Sequence, residues 1–284
     1  MIPSTLPDEP AVIDVGVASL AAWGWGADAS LPLVVGVHDL AANGLWWSDL
    51  AIAGAGRMRF ASLDLRGRAG SSGLGATASM TQHVNDVRSV ADALFAPTFV
   101  VAGHGTGAAV AIEVAAAMPD RVADLVLLDG PPAVASLARP SAGPRDPIVA
   151  CIGATYAHRE AALRALLDGA WLPEPGLTRM ARRAVTADVA GSGFAWQVRV
   201  DAQAIDRDLT ELEHWRPPEV STAPSTIMVR AAHGHRVDDP PVALSFEAAD
   251  ALVVPTTHAG LLLDANAVAI VAELLESIID ADRH

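Results

Sequence analysis

The sequence predicts an α/β protein, a mostly parallel sheet covered by helices on both faces with a helical segment inserted late in the chain. Three observations carry this. Short apolar, β-branched runs alternate with helical patterns through the first half, the signature of parallel strands joined by crossover helices. From Gly130 to about Thr222 strand-like sequence gives way to helical segments separated by Pro and Gly, and from Ser225 sheet-type sequence returns. The 284 residues, 51% of them hydrophobic, suffice for one large core carrying an insertion.

Taken in order, residues 12–17 and 19–25 read as an opening hairpin, 33–38 as the first central strand and 58–65 as the next. Residues 78–95 place Val84, Val87, Val90, Ala91 and Leu94 on one helical face, and Pro97 ends that helix. A continuous apolar strand over 98–103 follows, then an Ala-rich helix over 106–118 closed by Pro119, then a buried strand over 123–129. Helical segments are expected over 147–169, 177–189 and 202–212, strands over 225–230 and 251–255, and a final amphipathic helix over 261–279. The division is therefore a core of residues 1–130 and 223–284 and an inserted helical cap of residues 131–222.

Composition narrows the partners. Nineteen Lys and Arg against 33 Asp and Glu give a net charge of −14, a field that repels phosphate backbones and anionic headgroups. Nucleic-acid and membrane-surface partners are disfavoured. Cys151, the single cysteine, excludes an internal disulfide and a Cys-rich metal site. It sits in an apolar, helical-looking run with Ile148, Val149, Ala150 and Ile152 and reads as buried and structural. The opening MIPSTLPDEP has acids and prolines where a secretory signal is basic and then apolar, and no run of about 18 apolar residues offers a span. A soluble, cytoplasmic protein is expected.

The strongest local signal is Thr98-Phe-Val-Val-Ala-Gly103-His104-Gly105-Thr106-Gly107, a strand running into a helix through a glycine-rich turn. In the G-x-S-x-G elbow, small flanking residues permit a strained turn that projects the central side chain at the helix N-terminus. Here the centre is Gly105. A dinucleotide loop is the competing reading, but Ala108 stands where its third glycine belongs, and such a loop follows the first strand of its unit.

Four further segments share an order with this elbow: Leu33-Val-Val-Gly-Val-His38 followed by Asp39-Leu40, Asp64-Leu-Arg-Gly-Arg-Ala-Gly-Ser71, Met118-Pro-Asp-Arg-Val122 followed by Leu125-Val-Leu-Leu-Asp129, and His258 after Val254-Pro255. Over almost its whole length the chain resembles the α/β-hydrolase fold superfamily, in its capped esterase and lactonase-like branch. The resemblance implies a sheet of about eight strands with the cap between strands six and seven. It also implies a cofactor-free enzyme acting on a small apolar ester, lactone or related carbonyl compound. Neither a cofactor nor a metal is implied, and a homodimer is compatible with it.

By that resemblance His258 is the general base, since an imidazole titrates near neutrality and accepts a proton from a nucleophile or water. The acid is Asp238 or Asp239 in the loop after strand seven, or Asp129 after strand six; the first two are preferred, because an aspartate ending strand six also serves as a backbone cap. His38 marks the strand before the oxyanion loop, and the backbone N–H groups of Leu40 and Thr106 are the expected oxyanion donors. His104 reads as structural. Arg66 and Arg68 close the turn after Asp64 or fix a substrate carboxylate. The His233-Gly-His235 pair with Asp238 and Asp239 lacks metallo-hydrolase spacing and reads as a polar loop. Trp46 and Trp47 after the oxyanion loop, with Trp171, Trp196 and Trp215 in the insert, either line an apolar pocket or fill the core.

Two departures bear on function. The nucleophile position holds Gly105, and the family's His-Gly is here His38-Asp39, which sets a carboxylate where an oxyanion is stabilised unless it turns outward. Three readings follow: a serine hydrolase inactivated by a replacement at 105, a catalyst in which His258 activates a water or substrate held in the void at Gly105, or a ligand-binding pseudoenzyme. Asp39 favours the latter two.

Overall fold

The computed structural model describes residues 11–17, 19–131, 151–169, 189–192, 195–218, 224–233 and 251–281. Strands β1 (Ala11–Val12), β2 (Ala22–Trp25) and β3 (Leu33–Val37) come first, and a 3-10 turn (Gly44–Trp47) with helix α1 (Ser48–Ala53) leads to β4 (Arg59–Leu63). Helix α2 (Met80–Ala93), β5 (Phe99–His104), α3 (Gly107–Ala117) and β6 (Val122–Leu128) follow. Between β6 and the next core strand lie α4 (Arg159–Gly169), β7 (Val189–Ser192), β8 (Ala195–Val198) and α5 (Ala202–His214). The chain returns through β9 (Ser225–His233), β10 (Leu252–Thr257), α6 (Gly260–Leu263) and α7 (Ala265–Ala281).

The main sheet has eight strands in the order β1-β2-β4-β3-β5-β6-β9-β10. Pairs from β4 through β10 are parallel, and β1 and β2 form the antiparallel end expected of an opening hairpin. Both faces are buried, which is why the central strands read as continuous apolar runs. Along β3 the side chains alternate: Val34 joins Trp47, Phe60, Val271 and Leu275 on one face, while Leu33, Val35 and Val37 join Val87, Val90 and Ile112 on the other.

The insert departs from an all-helical expectation. β7 and β8 form a separate antiparallel ribbon, and Tyr156 bridges to Trp196 on its edge. Cys151 is buried in a turn that precedes α4, its thiol donating to the Ala165 carbonyl at 3.3 Å, rather than in a helix. Residues 147–150, Trp171 and most of 177–189 lie outside the described residues. The final helix is two helices, because Asp264 ends α6 and its side chain accepts from the backbone N–H groups of Asn266 and Ala267, starting α7. Among the described residues no helix is long and apolar enough to cross a membrane.

Trp46 and Trp47 are part of the core. Both are buried, and Trp47 packs on Phe60 with ring centroids 5.6 Å apart, over the bare backbone of Gly36 where a side chain would overlap the indole.

Candidate functional site

Strand register brings the site together. β3 and β5 pair with Val37 opposite Gly103, and β5 and β6 with Gly103 opposite Leu127 and His104 opposite Leu128. Continuing each register past the strand ends sets Asp39, Gly105 and Asp129 in one row at the carboxyl edge of the sheet. That edge is where ligands bind in open α/β sheets. β10 ends at Thr257, so His258 enters the row from the far side of β9.

The elbow is formed as the glycines predict. Gly105 has φ +55°, and Gly107 lets α3 start against the Val37 and His38 carbonyls, which a Cβ would overlap. Gly105 does not leave a void. A Cβ built there would overlap Oδ1 and Cγ of Asp39 and stand 2.8 Å from its Oδ2. Asp39 has turned inward, so its carboxylate occupies the volume into which an elbow side chain projects.

The contacts of that carboxylate define the chemistry. Oδ1 accepts the Thr106 backbone N–H at 2.6 Å, and Oδ2 lies 2.9 Å from His258 Nε2. The other ring nitrogen, Nδ1, lies 2.7 Å from Asp129 Oδ2. Among the candidate acids, Asp129 is the one seen in contact with His258; Asp238 and Asp239 lie outside the described residues. Its backbone has φ +46°, an αL conformation that Asp tolerates, and its Oδ1 accepts the Ala231 N–H at 3.2 Å. Burial raises the Asp129 carboxyl, but the hydrogen bond and charge of His258 outweigh it and hold the group below the ordinary carboxylate range. The His258 ring thus lies between two carboxyl groups, and with both of them ionised it would donate from both nitrogens as an imidazolium. Asp39, Asp129 and His258 are 5%, 8% and 5% exposed, so charges on them interact with little screening by water.

Two further histidines are neutral supports. His38 Nε2 accepts the Leu65 N–H at 2.8 Å, so Nδ1 carries the proton and donates to the Asp39 carbonyl at 2.6 Å. Burial pulls its pKa down to about 3. His104 donates from Nε2 to the His258 carbonyl at 2.9 Å and stacks on the His258 ring with centroids 4.2 Å apart. Burial and the neighbouring His258 charge pull it also to about 3.

Leu40 enters the site through its carbonyl, which accepts Arg68 Nε at 2.9 Å, and through its side chain, which packs on Ile205 and Leu209 of α5. Arg68 also meets Asp208 of α5 at 2.5 Å, and Asp208 in turn contacts His83 at 3.1 Å. Arg66 makes a bidentate pair with Asp86 at 2.6 and 2.7 Å. Both guanidinium groups thus have internal carboxylate partners and do not await a substrate carboxylate. A cavity of about 20 Å³ lies among Leu40, Thr106, Arg68, His83 and Asp208. Arg68 and Asp208 as supports of the loop after β3 were not foreseen; the Asp64-x-Arg-x-Arg turn was a partial signal for the first, and nothing local marked the second. Among the described residues no group of three or more His, Cys, Asp or Glu could hold a metal ion.

Comparison with known proteins agrees with this architecture. No curated protein sequence matches. Solved structures that resemble the chain include a thioesterase domain from the curacin biosynthetic pathway (TM-score 0.69, 18% identity, covering 95% of this chain and 99% of that one). E-2-(acetamidomethylene)succinate hydrolase gives a TM-score of 0.72 at 17% identity, covering 97% of this chain and 100% of that one. An esterase from Mycobacterium tuberculosis gives 0.65 at 20% identity, covering 95% and 91%. At these identities the likeness is one of fold. A model of the alpha/beta hydrolase family matches residues 34–274. With most of its length matched and the sheet, elbow and terminal histidine in that family's order, the chain belongs to the alpha/beta hydrolase family.

Proposed function

We propose that the chain is a hydrolase that works without an elbow nucleophile, through Asp39, His258 and Asp129, on a small, fairly apolar substrate. The observation that carries this reading is the coincidence of the two departures in space: the side chain missing at 105 is replaced, in the same volume and against the same histidine, by the one added at 39. One exchange between neighbouring strand ends accounts for both. Apolar contacts of Leu40 with Ile205 and Leu209 beside the site favour an apolar substrate. Esters are the substrates suggested by the esterase-type neighbours, and lactones by the resemblance in sequence.

A second reading is a ligand-binding protein without turnover. It is favoured by the engagement of the Thr106 N–H with Asp39, which closes the resting oxyanion site against a substrate carbonyl.

The test is turnover of a panel of small aryl esters, lactones and primary alkyl bromides by the wild type, Asp39→Asn, Asp39→Ala and His258→Ala. The hydrolase reading expects turnover of at least one class that falls about 10³-fold or more in each variant. Saturable binding without turnover in the wild type supports the second reading instead.

A further inference from the structure

We propose that the amino edge of the sheet carries a second binding site, an open cavity that takes an aliphatic monocarboxylate with its carboxylate on Arg59. The cavity has a volume of about 340 Å³, within the range of roughly 300–1,000 Å³ found for small-molecule sites. It opens where β3, β4 and β5 begin, at Leu33, Arg59 and Phe99. From there β3 and β5 run toward Asp39 and Gly105 at the opposite edge, a distance of about 20 Å at the rise of a strand. The two sites are therefore separate, and the second does not depend on the chemistry at Asp39.

Arg59 is the anchor. It is half-buried at the start of β4, and its Nε donates to the Leu31 carbonyl at 3.2 Å and its Nη1 to the Leu94 carbonyl at 3.0 Å. These neutral acceptors, one from the loop before β3 and one from the end of α2, fix the guanidinium without offsetting its charge, and they leave donors of its fork unused. Arg66, Arg68 and Arg121 each meet a carboxylate at 2.5–2.7 Å, whereas among the described residues Arg59 meets none within ion-pair distance. The acid nearest in the chain, Asp28, is turned onto Ser30, whose N–H and hydroxyl both donate to its Oδ1 at 3.0 and 2.6 Å. A carboxylate from solution supplies the missing partner and matches the flat fork of the guanidinium.

The rest of the lining sets what the anion is attached to. Leu31, Pro32, Phe99, Val100 and Ile279 border the cavity, so an alkyl chain laid across the strand ends covers apolar surface that an inorganic anion would leave wet. Asp124 of β6 closes the far end, three strands from Arg59 in the order β4-β3-β5-β6, which at the spacing of strands is about 14 Å. That distance exceeds the Debye length of about 10 Å at 0.1 M salt, so Asp124 does not cancel the attraction of Arg59. It does oppose a second carboxylate at the other end of the ligand, and the overall charge of −14 acts in the same direction. One anionic head on an apolar chain fits both ends.

Isothermal titration calorimetry of the full chain with hexanoate tests this, with 1-hexanol, acetate and hexanedioate as comparisons. Hexanoate is expected to bind once per chain with a Kd of about 1 mM or below, and each comparison about tenfold or more weakly. Arg59→Gln removes the anchor, and Ala29→Glu sets a competing carboxylate on the exposed wall beside it. Each variant is expected to weaken hexanoate about tenfold or more, and to leave the weak binding of hexanol unchanged. Because Arg59 also ties two carbonyls, the urea midpoints of both variants are measured alongside. Weakening in Arg59→Gln alone, with a lowered midpoint, is loss of fold and overturns the proposal. Hexanoate affinity unchanged in both variants places the ligand elsewhere and overturns it as well, as does hexanol binding as tightly as hexanoate or no hexanoate binding at all.

Discussion

At residue scale, the pair of neutral histidines has a cost that depends on pH. His38 and His104 have their pKa values pulled to about 3 by burial, whereas the same side chains in the unfolded chain titrate near 6.5. Between those values the unfolded state binds more protons than the folded one, so stability is full above about pH 6.5 and is lost as pH falls toward 3. Each histidine adds a slope of up to about 1.4 kcal/mol per pH unit. Asp129 and Asp208, held below the ordinary range, add a loss in the same direction below about pH 4, while Asp64, raised by burial, acts oppositely just above it. Urea unfolding of the wild type and His104→Gln at pH 4.5, 5.5, 6.5 and 7.5 isolates one contribution. The difference in stability between them is expected to shift in favour of the variant as pH falls; a difference independent of pH would show that His104 is not held neutral.

Much of this site was legible residue by residue, because Gly105, Asp39 and His258 each stand at a recognisable place in a motif. The side-chain direction of Asp39 was not. It depends on a register between strands far apart in sequence, and the same carboxylate turned outward would have left the void at Gly105 open. Asp129 was one of three candidate acids for a similar reason: its role depends on a positive-φ backbone that aims the carboxyl at His258, and sequence does not display φ.

At the scale of elements, α5 is tied to the loop after β3 by buried charge. Asp208 meets Arg68, and Arg68 holds the Leu40 carbonyl one residue after Asp39. Removing one partner leaves the other buried and uncompensated. Asp208→Ala is expected to lower stability by about 3–5 kcal/mol, and Arg68→Met with Asp208→Leu by less than the single change. Urea-denaturation midpoints of the three proteins measure this; equal losses would mean that the pair, not the stranded charge, sets the cost. The core strands β3 to β6 and the helices α2, α3 and α5 were legible to within two residues because periodicity and Pro punctuation fix them, whereas α1 was not expected, α4 begins at Arg159 and not at 147, and β9 runs three residues past its expected end. The β7–β8 ribbon was not, since Val189–Ser192 is short and three of its residues are exposed, giving neither alternation nor an apolar run. Trp47 illustrates a different limit: composition cannot separate a pocket wall from a core, and its seat over Gly36 is legible only once the strands are paired.

At the scale of the molecule, the exchange between positions 39 and 105 predicts how they combine. Gly105→Ser alone puts a side chain into the volume of the Asp39 carboxylate, displaces it from Thr106 and His258, and adds about 1–3 kcal/mol of strain at φ +55°. It is expected to lower the thermal midpoint and to restore no ester turnover. Asp39→Gly with Gly105→Ser frees both the volume and the Thr106 donor. The double variant is expected to be more stable than the sum of the single changes by about 0.5–3 kcal/mol and to hydrolyse aryl esters in a His258-dependent manner. Additive losses without turnover would show that the two positions are independent.

The row formed by Asp39, Gly105 and Asp129 has a wider meaning for this architecture. Parallel strands in register deliver several chain segments to the same spot, so a reactive group is specified by a location and not by the segment that supplies it. Neighbouring strand ends are therefore alternative mounting points for one function, and the fold tolerates moving the group between them because nothing below the edge of the sheet has to change. In a chain of this kind an empty elbow is not evidence of inertness; what occupies the adjacent strand end decides whether chemistry has been lost or relocated.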